Sequence, residues 1–353
     1  MSTQVMNTQA ARVGKLKGEI LAHVMPVEVL GKFGLKKPMP KNASENVIYR
    51  RWLPKGATTA LPNNWVVVPA SHQLSEGETP VAEQVSAQDI TATLVEYGFI
   101  YRWSNRVEDL YEDDVPSEIK RLTGERMGLL LEMIRYGQLK AATNVFRAGS
   151  VASRSLVIAL IGANLLRNIA RGLSANLASK ITGILSASTG VGTQPIEAAF
   201  VIALSSDLEA DCRSQLTGFV HISEYGSRQA MHENELGSWE SYRFICSPHL
   251  TPYLAAGGTT AGANTRLTNG IANSAGTEAA DVYPMIVLSQ ECFGDVALRG
   301  KGAMNVNMIS ASTATKDDIL GQRGMIGAST YFTCVRLNEG QMAVAEVACS
   351  FLV

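Results

Sequence analysis

The stretch from Pro116 to about Thr143 constrains the fold of this chain more than any other. Polar or small residues recur there at spacings of four, three, four and three, at Arg121, Glu125, Gly128, Glu132 and Arg135. Apolar residues occupy the opposite side, at Ile119, Leu122, Leu130, Met133, Ile134 and Ala141. This periodicity predicts an amphipathic helix of about seven turns, roughly 40 Å long. We therefore expect a long helix between a strand-rich arm and a compact α+β body.

Charge and cysteine content exclude several classes of protein. The 353 residues carry 31 Lys and Arg against 32 Asp and Glu, so the chain lacks the basic excess that is typical of nucleic-acid-binding proteins. The five cysteines form no CxxC pair, which predicts free, largely buried thiols in a reducing compartment. The most apolar run, Leu156 to Leu166, is too short to span a bilayer. With no signal-peptide pattern at its start, the chain is expected to be soluble, without a membrane partner.

The first hundred residues predict extended structure that lacks a core of its own. Glycines and prolines between residues 31 and 40 favour an extended arm. Apolar residues around it, such as Val29 and Phe33, need cover, which favours contact with a neighbouring subunit over a flexible leader. Asn46–Leu53 and Ile90–Ser104 are predicted strands, joined by 36 residues rich in Gly and Pro. Because an isolated hairpin is marginally stable, we expect this excursion to lie on a neighbouring copy.

The rest of the chain predicts mixed helices and strands. Ser155 to Leu177 is predicted to be a helix or helix pair interrupted at Gly172. Ala198 to Leu204 is predicted to be a buried strand, followed by a helix with Ser205 and Ser206 as candidate N-caps. Further predicted strands are Gly218–Ser223, Tyr242–Ser247, Asp281–Ser289, Ser329–Leu337 and Gln341–Leu352. The Gly- and Ala-rich stretch 255–277 is predicted to be a loop.

A search for catalytic chemistry yields one weak candidate. The densest group of ionisable residues is His221, Glu224, His232, Glu233, Glu235 and His249, whose spacing matches no metal-binding motif. Neither a phosphate-binding loop nor a nucleophile elbow is present. We therefore predict no catalytic, cofactor-binding or metal site, and a structural protein that builds assemblies. A metal-dependent hydrolase using His221, Glu224, His232 and His249 remains the alternative.

Several separate blocks, in the same order along the chain, resemble one protein family. The blocks are residues 23–42, 47–52, 74–80, 91–98, 206–211, 218–225, 237–244 and 318–327. They resemble the major capsid proteins of tailed bacteriophages with the HK97-like fold, in the branch typified by coliphage N-four. Three positions depart from the pattern: Ile319 replaces a proline, and Ala328-Ser329 replaces Trp-Lys.

The resemblance implies an α+β HK97-like fold with defined parts. Residues 1–45 would form the N-terminal arm and 46–104 the extended E-loop region. Residues 105–190 and 300–353 would form the peripheral domain, with the spine helix at about 115–144, and residues 191–299 the axial domain. The candidates for subunit contact are Val29, Phe33, Leu74, Glu76, Pro80 and Arg323.

The resemblance also implies a function. Hexamers and pentamers of the chain would tile an icosahedral phage head that encloses double-stranded DNA through non-specific contacts. The near-neutral charge fits such a wall, since a strongly basic lining would bind nucleic acid before packaging. Expected partners are a separate scaffolding protein, a portal and a decoration protein, and the expected location is the virion, with assembly in the host cytoplasm. An encapsulin-like compartment shell shares the fold and is the nearest alternative.

Overall fold

The computed structural model describes residues 28–40, 44–53, 55, 68–74, 76–77, 79, 82–110, 114–181, 197–226, 230–259, 279–298, 305–314 and 318–350. The helices are α1 (Asn105–Leu110), α2 (Val115–Leu139), α3 (Ala163–Ala175) and α4 (Glu209–Gln215). The strands are β1 (Leu35–Lys36), β2 (Asn46–Leu53), β3 (Ser86–Thr93), β4 (Val95–Ser104), β5 (Val145–Arg147), β6 (Phe200–Ser205), β7 (Val220–His221), β8 (Glu235–Trp239), β9 (Tyr242–Ser247), β10 (Val282–Leu288), β11 (Phe293–Ala297), β12 (Asn305–Ile309), β13 (Arg323–Arg336) and β14 (Ala343–Ala348).

A seven-stranded sheet in the order β5-β14-β10-β6-β9-β8-β7 forms the centre of the body. Its middle strand, β6, is buried along its whole length. Phe200, Ile202 and Leu204 face a core cluster that also contains residues of α3 and α4. Val201 and Ala203 face a second cluster, which contains the end of α2 and the N-terminal segment. Because both faces are covered, the strand is a continuous apolar run, as the sequence predicted for this segment.

A second sheet is built around the long strand β13. β4 pairs antiparallel with one edge of β13, while β12 and β11 pair in succession with the other edge. α2 packs against this sheet, where Trp103, Ile119 and Ile326 form a small core cluster. The Trp103 indole N–H donates to Glu108 Oε2 at 2.8 Å. Sheet and helix together therefore form a layer beside the central body.

The predicted long helix is confirmed, with one correction about its faces. α2 begins after Asp114, whose side chain accepts hydrogen bonds from the Ser117 N–H at 3.3 Å and the Ser117 hydroxyl at 2.6 Å. It ends at Leu139, earlier than predicted. The predicted polar stripe does not all face solvent: Glu132 and Arg135 are buried, because the N-terminal segment and β11 cover this end of the helix.

The predicted strand Asn46–Leu53 is confirmed at both ends, as β2. The prediction of one strand over Ile90–Ser104 is wrong. β3 pairs with β2, whereas β4 pairs with β13, and Leu94 separates the two strands. Leu94 is buried in a cluster with Met39, Ala92 and Val296, so the chain is anchored where it passes from the hairpin into the second sheet.

Other predictions need smaller corrections. α3 starts only at Ala163, and Gly172 lies inside a continuous helix, in contact with Phe146. The Ser205 side chain makes no capping hydrogen bond. The strand predicted over residues 218–223 is limited to Val220–His221. The predicted loop at 255–277 is described only up to residue 259, and Pro80 lies outside the described residues.

Candidate functional site

A buried carboxylate fastens the N-terminal segment to the long helix. Glu132 Oε1 accepts the backbone N–H groups of Val29 at 2.9 Å and of Leu30 at 2.8 Å. Val29, Leu30 and Glu132 are all fully buried. Burial removes these two amide groups from water, and the Glu132 carboxylate supplies the hydrogen-bond acceptor that water would otherwise provide. Glu132 therefore holds residues 28–36 on the body of the chain.

Arg135 extends this contact into the second sheet. Its Nε donates to Asp295 Oδ2 at 2.8 Å, and its Nη1 lies 3.5 Å from Glu132 Oε2. The guanidinium also lies over the Phe332 ring, 4.9 Å from the centroid. Burial raises the pKa of Asp295, while Arg135 opposes this rise. We call Glu132, Arg135 and Asp295 the docking network, since they link α2 and β11 to the N-terminal segment.

The N-terminal segment is covered by its own chain. β1 pairs parallel with β11, Val29 is fully buried, and Phe33 packs against the second core cluster. The expectation that these apolar residues need a neighbouring subunit for cover is therefore wrong at Val29. Sequence analysis missed the docking network because a glutamate and an arginine three residues apart also suit an exposed helix face.

The outer face of the β2–β3 hairpin exposes large apolar side chains. Ile48 is 54% exposed and Trp52 is 65% exposed. Between them, Arg50 binds Asp89 through two hydrogen bonds of 2.7 Å. We call this surface, formed by Ile48, Arg50, Trp52, Ala87, Asp89 and Thr91, the hairpin outer face. Among the described residues nothing covers it, and a tryptophan and an isoleucine on one hairpin face are typical of interaction surfaces.

A groove of about 690 Å³ runs across the second sheet, on the face opposite α2. Gly98 and Gly327 have no side chains to fill its floor, and Ile100, which is 62% exposed, stands beside them. The groove is also lined by Arg102, Asn305, Asn307, Ile309, Met325, Ala328 and Ser329. We call it the sheet groove. A concave, partly apolar groove of this size accepts a small ligand or the side chains of a partner.

Three other contact candidates lie at the surface. Leu74 is 75% exposed and Glu76 is exposed, on a segment where every described residue from 68 to 85 is exposed. Arg323 is the first residue of β13, and its own N–H donates to Asp318 Oδ2 at 2.8 Å. These residues could therefore reach a second subunit without rearrangement of the core.

The candidate metal ligands have partners that are not metals. The His221 ring contacts Arg213 and Ser223. His232 is buried, its Nδ1 accepts the Asn234 N–H at 3.0 Å, and burial lowers its pKa. Glu235 binds Arg243 and the Tyr225 hydroxyl. Within the described part of the chain, no three His, Cys, Asp or Glu side chains are placed to hold one metal ion.

The prediction of free, largely buried thiols is confirmed. All five thiols are free, and four of them are buried. Burial raises the pKa of Cys292 from its ordinary value of 9.0 to about 12, so this thiol stays protonated and inert at neutral pH. None of the described helices is both long and apolar enough to cross a bilayer.

Comparison with known proteins gives a clear result for the fold. No protein-family model matches the chain, and no curated protein sequence matches it. Among solved structures, the capsid of Ralstonia phage GP4 is similar, with a TM-score of 0.64 and 9% identity over 100% of both chains. The capsid of cyanophage Pam1 has a TM-score of 0.63 and 11% sequence identity, over 99% of this chain and 98% of the capsid chain. The capsid of cyanophage P-SCSP1u has a TM-score of 0.58 and 12% sequence identity, over 98% of this chain and 97% of the capsid chain. The chain therefore has the fold of phage capsid proteins.

Proposed function

We propose that this chain is the major capsid protein of a tailed bacteriophage. The observation that carries the proposal is the fold match to phage capsids, which extends over essentially the whole of both chains. The proposed role is structural, with no catalytic step. In finer detail, we propose the HK97-like fold, the branch typified by coliphage N-four, and assembly as hexamers and pentamers into an icosahedral head around double-stranded DNA.

The exposed surfaces support a role in self-assembly. The hairpin outer face offers Ile48 and Trp52, and the sheet groove offers a concave face beside Ile100. Burial of one large apolar side chain contributes about 1.5–3 kcal/mol. Each contact is therefore modest, but a closed shell makes many of them at once and gains from multivalency. We propose that both surfaces are covered by neighbouring copies.

The same proposal assigns the parts and partners of the chain. Residues 1–45 serve as the arm, 46–104 as the E-loop region, 105–190 with 300–353 as the peripheral domain, and 191–299 as the axial domain. A scaffolding protein, a portal and a decoration protein are proposed partners. The mature protein is located in the virion, and its assembly takes place in the host cytoplasm.

Size-exclusion chromatography with light scattering tests the proposal. The wild-type chain expressed alone should elute as assemblies far larger than a dimer. A double variant of the hairpin outer face, Ile48→Ser with Trp52→Ser, should remain small. The control is Leu110→Ser, which changes an apolar residue that is also exposed but lies outside both surfaces and should assemble normally. Equal assembly of all three proteins would show that the hairpin outer face is not a subunit contact.

A further inference from the structure

Arg51 and Gln88 lie side by side on the face of the β2–β3 hairpin that is turned toward the body. They are directly opposite each other in the hairpin register, so their Cβ atoms are about 5 Å apart. Arg51 Nη2 donates to the carbonyl oxygen of Leu337 at 3.1 Å. Gln88 Oε1 is buried and has no hydrogen-bond partner among the described residues. This inner face therefore presents hydrogen-bonding groups that the chain itself does not fully satisfy.

Two adjoining clefts meet at Arg51. Their volumes are about 490 Å³ and about 560 Å³, and Arg51, Ile90, Leu337 and Asn338 line both of them. Cavities of this size accept a small ligand or the side chains of a partner. Arg51 is thus accessible from the cleft although the hairpin partly buries it.

Arg51 lacks the acidic partner that its neighbour has. Arg50, on the outer face, binds Asp89 through two short hydrogen bonds. Arg51 forms no ion pair with a described carboxylate, and burial lowers its pKa. The nearby Glu339 is already bound to Arg336 at 2.7 Å and to the Thr143 N–H. Glu291 lines the first cleft together with Arg51 but forms no ion pair with it. The cleft therefore contains a partly desolvated guanidinium that no described carboxylate binds directly.

A carboxylate is the ligand that fits this arrangement. A carboxylate accepts two parallel N–H···O hydrogen bonds from one guanidinium, because its two oxygens match the spacing of two guanidinium N–H groups. The two ends of the Gln88 amide interchange by rotation, so its buried end can present an NH₂ donor to the same ligand. A bound carboxylate would satisfy both side chains.

The segment between the two hairpin strands, whose described residues from 68 to 85 are all exposed, offers such a group. Residues 73–85 contain three glutamates and neither Lys nor Arg. Glu83 binds Lys55 within its own chain at 3.2 Å. Glu76 is exposed, makes no ion pair within the described residues, and lies beside Gly77, whose φ of +81° marks a tight turn. Glu76 is therefore available to a second molecule.

We propose that the cleft at Arg51 binds the acidic turn at Glu76 of a second copy of this chain. The proposal rests on the proposed function, since it requires copies that assemble. It assigns a specific polar contact to the assembly, in addition to the apolar surfaces described above.

Charge exchange tests the proposal. The assembly concentration of purified chain would be measured by light scattering for the wild type, Arg51→Ala, Glu76→Gln and the double variant Arg51→Glu with Glu76→Arg. Arg167→Ala is the control, since Arg167 pairs with Glu240 at 2.6 Å on an exposed surface that lies outside the clefts and outside both proposed contact surfaces. We expect the two single changes to raise the concentration needed for assembly about tenfold each, the control to leave it unchanged, and the double variant to restore most of the loss.

The outcomes separate this proposal from the proposed function. A wild-type chain that never assembles would contradict the function itself. If the wild type assembles and Glu76→Gln or Arg51→Ala behaves like it, the contact is wrong while the function stands. Loss in both single variants without recovery in the double variant would also overturn the pairing. Glu76 is exposed and has no described partner, so Glu76→Gln remains informative even if Arg51→Ala fails to fold.

Discussion

Replacement of Glu132 by alanine should release residues 28–36 from the body of the chain. Its Oε1 atom accepts the N–H groups of Val29 and Leu30 at 2.9 and 2.8 Å, and all three residues are fully buried. Alanine would leave both amide groups buried without an acceptor. It would also leave Arg135 Nη1 without the carboxylate that lies 3.5 Å away.

The expected magnitude follows from these contacts. A hydrogen bond to a charged acceptor contributes about 1.5–3 kcal/mol, and removal of one partner from a buried ionic site costs about 3–5 kcal/mol. We therefore expect Glu132→Ala to destabilise the docked segment by about 3–5 kcal/mol. Glu132→Gln keeps one oxygen acceptor and should cost about 1–2 kcal/mol.

Hydrogen–deuterium exchange of residues 28–36, followed by mass spectrometry, measures this directly. Exchange in Glu132→Ala should be faster by about two to four orders of magnitude, since each 1.4 kcal/mol corresponds to a factor of ten. The control is Glu118→Ala on the same helix, whose partner Arg121 is partly exposed and whose loss should cost less than about 1 kcal/mol. Unchanged exchange in Glu132→Ala would refute the view that this carboxylate holds the segment.

Four further predictions concern stability. Because burial raises the pKa of Cys292 from 9.0 to about 12, the stability that its protonated thiol contributes is fully present below about pH 9 and is lost as the pH rises toward 12. The buried thiols of Cys246 and Cys334 also have raised pKa values, so the wild type and Cys292→Ala should both lose stability in urea unfolding at about pH 10.5, but the loss should be smaller by about 2 kcal/mol in Cys292→Ala. Gly137→Ala should raise the melting temperature, since nothing lies within 4 Å of the added Cβ and alanine favours a helix by about 0.8–1 kcal/mol. Gly324→Ala should lower the melting temperature, because the added Cβ would overlap the buried indole ring of Trp103 at a cost of about 1–3 kcal/mol. Trp52→Ser should leave the melting temperature of the unassembled chain nearly unchanged. Leu53→Ser should lower the melting temperature, because Leu53 is only 3% exposed. Equal effects of the two changes would contradict the assignment of Trp52 to the exposed face of β2 and of Leu53 to the buried face.

The sequence alone was sufficient to predict those elements that are defined by the pattern of apolar and polar residues within the element itself. β2 and β9 have the predicted bounds, because β-branched and aromatic residues over a short run favour a strand wherever it lies. The long helix was predicted because its periodicity extends over many turns.

The failures concern contacts between distant segments. Nothing local marks Leu94 as the point where the chain leaves one sheet for another, since its burial depends on Val296. The same holds for Glu132, whose partners are about a hundred residues away. Burial of a charge depends on what covers it, and a single sequence does not show that cover.

Electron microscopy of the chain expressed alone tests the central claim most directly. Negative-stain images of the leading chromatographic peak should show shells, rings of five or six subunits, or tubes and sheets built from one repeating unit. A uniform population of monomers or dimers that persists at high protein concentration would contradict the proposal that this chain is a capsid protein.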